Sequence, residues 1–201
     1  MTKKDSVELF WKWFQASEAE LSTSYHEPKV MKNIDLHVHR ICPDLSWEIG
    51  PVDNEGLYFS LSPDLDEGLM GLAKKSIARS YKSTLWKFLV GRQRRPWSSV
   101  LEVLDDELNA TGEVDLSKWK HIAYRVEEDL IDIVFSANCS NCDTERLSRI
   151  ANIVAVGLLG EVVVMEKVNS IEVLNFFEDE MEAVAKPVHW LPYAFGMKPM
   201  T

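Results

Sequence analysis

The sequence predicts an α+β fold: two αββαβ units, read as an internal duplication, whose strands join into one mixed or antiparallel sheet of about six strands with helices packed on one face. Three observations predict it. Strand-like runs come in hairpin pairs, each pair is followed by a helical pattern and a further strand, and the order recurs after a shift of 76 residues. That shift lays Leu57-Tyr-Phe-Ser60 on Ile133-Val-Phe-Ser136 and Leu85-Trp-Lys-Phe88 on Glu161-Val-Val-Val164, a match of pattern more than of identity.

Asp5 with Glu8 three residues later reads as a capping box, and Val7, Phe10, Trp11 and Phe14 follow at helical spacing. One core-facing helix of about four or five turns is expected, ending near Thr23. Lys29 to Ile41 reads as a second helix, begun after Pro28 and stopped before Pro43. Leu45 to Val52 and Gly56 to Leu61 alternate as strands around a turn at Asp53, Asn54 and Glu55. Ser62-Pro63-Asp64 then opens a helix to about Ser80, and Thr84 to Arg92 reads as a third strand.

In the second half, Lys120 to Val126 and Leu130 to Ser136 form the corresponding hairpin around an acidic turn, Glu127 to Asp129. Asp143 to Gly157 is the helix, and Glu161 to Leu174 is expected to be a long final strand region, rich in valine. Between the halves, the polar and acidic stretch from Arg95 to Ser117 is expected to be a connecting helix with a loop, or a crossover. The last stretch, 178–201, opens with acidic helix-like residues and closes as an apolar tail punctuated by proline.

A chain of 201 residues, 46% of them hydrophobic, can bury one sizeable core. One domain spanning 1–201 is the expectation, with repeat halves at about 1–95 and 96–177. The 22 basic against 32 acidic residues leave a formal charge of −10, which repels nucleic acid and anionic membrane and favours a basic partner. No apolar run reaches the roughly 20 residues that a bilayer crossing takes. The opening MTKKDSVELFWKWF lacks a signal-peptide core, so a cytoplasmic location is expected, with the three cysteines reduced.

The stretches FWKWFQASEAEL, DLSWEIGPVDNEGLYFSLSPD and STLWKFLVGRQRRP, with the later LLGEVVVMEKVNSIEVL, resemble in order an uncharacterised bacterial family whose members open with an FWxWF-type helix. The resemblance covers most of the chain. It implies no reaction and places no catalytic residue, and Cys139-Ser-Asn-Cys142 is not among the features it brings.

That CxxC segment is the sharpest local signal, because two thiols so spaced before a helix can share a metal or cycle through a disulfide. A structural zinc site needs about four ligands, and only Cys42 and five scattered histidines remain to complete one. Two ordinary loop and cap cysteines are the competing reading. His37 and His39, read on a helix, point about 200° apart and do not chelate one ion. Glu48 in a strand and Glu161 after Leu-Leu-Gly would make an acid/base pair if folding buried them together, and otherwise face solvent.

From Gly68 to Leu101 the charged residues are all basic: Lys74, Lys75, Arg79, Lys82, Lys87, Arg92, Arg94 and Arg95. They read either as a docking surface for an acidic partner or a phosphate-bearing ligand, with the three arginines as fork donors, or as solvated positions paired with the surplus carboxylates. Of the seven tryptophans, Trp11, Trp47, Trp86 and Trp119 read as core, their indole N–H groups needing acceptors. Trp97 and Trp190, beside prolines, read as partly exposed interface anchors. There is no GxSxG, GxGxxG, phosphate-cradling glycine loop or HExxH, and no cofactor is expected.

These features together point to a non-enzymatic protein-binding or regulatory module, immunity-like in one concrete form, in which an acidic protein covers a basic toxin. Monomer and homodimer both remain open. The competing class is a metal- or thiol-dependent enzyme built on Cys139 and Cys142.

Overall fold

The computed structural model describes residues 3–52, 56–104, 110–127, 129–138 and 143–200. The chain divides into two compact units, Met1–Arg92 and Gln93–Thr201. The expectation of one six-stranded sheet is corrected. Among the described residues there are three separate sheets, of three, two and four strands.

In the first unit, helices α1 (Lys3–Ala16), α2 (Glu18–Ser24) and α3 (Pro28–His39) precede β1 (Ser46–Pro51), β2 (Leu57–Ser62), α4 (Glu67–Ile77) and β3 (Trp86–Val90). β1 runs antiparallel to β2 with Ser46 opposite Ser62, and β3 lies parallel on the other side with Phe88 opposite Phe59. The stripe Val7, Phe10, Trp11 and Phe14 is buried, as helical spacing requires. Phe59 on the central strand meets it, with ring centroids 5.5 Å from Phe10, 6.1 Å from Trp11 and 5.1 Å from Phe14. The Trp11 indole donates to the Ser76 carbonyl at 2.8 Å. Trp86 Nε1 has no such acceptor among the described residues.

The first helix stops short of Thr23. Ser17, at φ −99° and ψ 5°, leaves the helical region and separates α1 from α2. Nor does Ser62 open α4: its hydroxyl accepts from the Asp64 N–H in a local turn, and Asp64 and Leu65 take positive φ. Asp66 is the cap instead, its carboxylate accepting from Gly68 N–H at 2.7 Å.

The second unit begins with a hairpin, β4 (Val100–Leu104) and β5 (Ala110–Asp115), where a helix or crossover was expected. Its main sheet has the order β8-β7-β6-β9, from β6 (Lys120–Arg125), β7 (Ile131–Ser136), β8 (Val168–Leu174) and the two-residue β9 (Lys186–Pro187). β6 is antiparallel to β7, while β8 is parallel to it. Both units therefore place an antiparallel hairpin beside a parallel third strand. The matching hairpin positions, Ser62 and Ser136, lie 74 residues apart rather than 76.

Glu161 to Leu174 is not one strand. Helix α5 (Thr144–Leu159) ends at Gly160, whose φ of +83° suits glycine, and α6 (Glu161–Lys167) leaves at 106° before β8 begins. The counterpart of β3 is thus β8, and the valines aligned with Leu85 to Phe88 are helical. The core gathers Ile133 and Phe135 from β7 with Ile150, Ala151, Val154 and Leu158 from α5. The terminal stretch forms α7 (Asp179–Val184), β9, a single turn of 3-10 helix at Val188–Trp190 and α8 (Leu191–Ala194).

Candidate functional site

Alternation along β6 turns His121 to the buried face opposite Phe135, and the ring is 3% exposed. Its Nδ1 lies 3.1 Å from the carbonyl oxygen of Pro187, which only accepts. Nδ1 therefore carries the proton, and Nε2 of the neutral ring is left as an acceptor. Burial pushes the ring's pKa down from 6.5 to about 4; the bond to Pro187 opposes this, and the positive charges of Lys186 and His189 assist it. At neutral pH His121 is uncharged.

His121 lines an open groove of about 590 Å³, within the usual range for small-molecule and peptide pockets. Ile122, Ala123 and Val184 supply apolar walls, Lys186 an ammonium, and Trp190 and Tyr193 the aromatic rim. Val184, Trp190 and Tyr193 are 63%, 46% and 58% exposed, a concentration of large apolar side chains on one small surface.

The groove runs along a sheet edge that β9 covers for only two residues, Lys120 opposite Pro187 and His121 opposite Lys186. The phase of the ladder follows from the bonds at its ends. Val188 N–H donates to Trp119 C=O, and Val126 N–H donates to Leu130 C=O. Even-numbered residues of β6 thus bond inward to β7, and odd-numbered ones turn their main-chain groups outward. Ala123 is the first odd position past β9. Its N–H and C=O face the open edge with no bridge to β9.

Charge is divided unevenly between the units. Residues 1–92 hold 13 acidic and 12 basic side chains, and 93–201 hold 19 and 10, so −9 of the −10 falls in the second unit. Within that acidic unit, the β6 edge carries Lys120, Arg125 and Lys186. Lys120 is paired with Glu182. Lys186 is exposed and makes no ion pair among the described residues.

Of the residues singled out in the sequence, Arg92 pairs with Asp64 at 2.7 Å. Arg94 is committed to the fold, its Nε donating to Leu158 C=O at 2.8 Å and a terminal nitrogen to Lys198 C=O at 2.6 Å. Arg95 ties its main-chain N–H to Gly157 C=O. Trp97 is half-buried beside His189, with centroids 5.6 Å apart. Lys74, Lys75 and Arg79 are exposed; the two lysines lie in the last turn of α4, where cations complement the helix dipole.

Cys139 and Cys142 lie outside the described residues. Among the described ones no three metal-ligating side chains converge, and Cys42 is a buried free thiol. His37 stacks on Trp13 at 3.9 Å while His39 faces Asp35 at 3.4 Å, so the two diverge. Glu161 is fully buried in the second unit, and Glu48 is half-buried in the first.

His121 escaped the sequence reading. In Lys-His-Ile-Ala-Tyr-Arg neither alternate set is plainly apolar, and the segment that completes the site lies about 65 residues downstream. Compared with known protein families, curated proteins and solved structures, the chain matches none of them.

Proposed function

We propose that this protein is a non-enzymatic, cytoplasmic binding module that docks another protein along the β6 edge of its C-terminal unit. The reading is carried by one observation: β9 stops after His121, leaving the main-chain groups of Ala123 beside the exposed Trp190 and Tyr193. An unpaired strand edge is a template for a further strand, and aromatic side chains next to it supply the apolar contact that makes docking specific.

The surplus of −9 in the same unit favours a partner with net positive charge, because long-range attraction raises the encounter rate whatever the contact chemistry. An immunity-like protein that covers a basic toxin is one form of this reading. Neither nucleic acid nor membrane fits the charge. Among the described residues no single helix is long and apolar enough to cross a bilayer.

Affinity capture from the source lysate tests the reading, with the wild-type chain compared against Trp190→Ala with Tyr193→Ala, and against Lys74, Lys75 and Arg79 changed to glutamate. Loss of the captured partner with the aromatic pair alone is expected. Loss with the α4 substitutions alone would move docking to that helix and reject the groove.

A further inference from the structure

The groove's geometry goes on to select one kind of occupant, an inference that rests on the docking reading above. An added strand meets a fixed stop. β9 already holds the edge at Lys120 and His121, so a segment pairing with β6 has only the track from Ile122 to Arg125. A chain passing straight through would collide with β9 and with Val184 at the end of α7. A chain that terminates there does not.

Direction follows from charge. A strand antiparallel to β6 runs from the Arg125 end toward His121 and brings its C-terminus to Lys186, whose ammonium lines the groove. A parallel strand would bring an N-terminal ammonium to the same lysine, and like charges at that separation repel. The neutral His121 beside Lys186 adds no second positive charge there, while its Nε2 offers a hydrogen-bond acceptor.

We infer that the β6 edge captures the free C-terminal end of a partner chain, added as an antiparallel strand on Ala123, with the terminal carboxylate against Lys186 and the last side chain between Val184, Trp190 and Tyr193. Main-chain bonds supply sequence-tolerant affinity, and the carboxylate anchor distinguishes a chain end from an internal segment. A second copy of this protein fits less well. Pairing two β6 edges about a two-fold at Ala123 would drive Arg125 of each against Lys186 of the other, cation against cation.

The test uses the full chain and a pool of fluorescein-labelled short peptides. These carry randomised Val, Ile, Thr, Tyr and Phe positions and end in a free carboxylate. The same pool is made as C-terminal amides and as Gly-Gly extensions. Fluorescence polarisation should show the carboxylate pool binding about ten-fold or more tightly than either control, the range that losing a charge-assisted bond gives. Lys186→Gln should reduce carboxylate binding to the amide level, and amide exchange at Ala123 should slow when the carboxylate pool binds. Equal binding by amides and carboxylates with Ala123 protected would overturn chain-end capture and leave edge docking standing. Binding by neither pool overturns the inference, while the docking reading is then decided by the lysate capture. A dimer that the peptides dissociate would assign the edge to a second copy and overturn it too.

Discussion

His121 and Pro187 are joined by a hydrogen bond of 3.1 Å from ring to main-chain carbonyl, across the one place where β9 meets β6. The bond fixes the ring in place, while burial keeps it neutral against the bond's pull and makes stability depend on pH. The folded chain protonates His121 only near pH 4, whereas the unfolded chain does so near the ordinary 6.5. Between those values the unfolded state binds more protons, so stability is fully present above about 6.5 and falls as the pH drops toward 4. The separation corresponds to on the order of 3 kcal/mol. Urea midpoints measured from neutral pH down to about 5, above most carboxylate titration, should decline for the wild type and stay flat for His121→Gln. A flat wild-type profile would contradict the assignment.

Gly50 sits opposite Tyr58 in the β1–β2 ladder, and a Cβ at Gly50 would come within 2.7 Å of the tyrosine ring. Gly50→Ala is expected to destabilise by about 1–3 kcal/mol, as overpacking does. Tyr58→Ala in the same chain should recover much of the loss, because the offending atoms are gone. Thermal denaturation of the two single variants and the double variant reads the coupling directly; additive losses would show that the ring moves aside freely.

Arg94 bridges two carbonyls, of Leu158 at the end of α5 and of Lys198 in the terminal segment. Arg94→Ala leaves both acceptors without that guanidinium and should cost about 1–3 kcal/mol. Arg94→Lys should recover only part, since an ammonium lacks the planar fork that reaches two acceptors at once. Chymotryptic cleavage after Phe195, at the head of the terminal segment, should quicken in the alanine variant. An unchanged cleavage rate would show that other contacts hold the segment.

Phe59 is fully buried against rings from α1. Phe59→Ala removes the centre of that cluster and is expected to cost about 3–5 kcal/mol. Near-ultraviolet circular dichroism should lose the aromatic signal over the same temperature range in which the far-ultraviolet signal declines.

What could be read from sequence, and what could not, divides along physical lines. The stripe from Val7 to Phe14 and the alternation in Gly56 to Leu61 have periods that name their own structure, and both elements are present, the strand at Leu57–Ser62. Glu161 to Lys167 reads as strand because three valines in a row favour one, yet Gly160 at positive φ resets the chain so that an acidic residue begins a new helical turn. β5 and the acidic residues before it are polar enough to make the stretch pass for a linker, although β4 is Val-Leu-Glu-Val-Leu, and only the mutual register of the two strands reveals the hairpin. Joining the strands of both halves into one sheet assumed that similar units share an edge, which no local pattern encodes. The groove was hidden for a related reason, because its parts come from β6 and from segments joined only in the fold.

In both units the third strand is parallel to the middle one, and this constrains the route by which the chain reaches its native state. An antiparallel pair closes through a short turn, in microseconds for an isolated hairpin. A parallel neighbour must wait for a helix to carry the chain back along the sheet, which involves a longer loop and a greater entropic cost. Trp86–Val90 and Val168–Leu174 are therefore expected to be the late arrivals in their units, with low φ-values beside early hairpins.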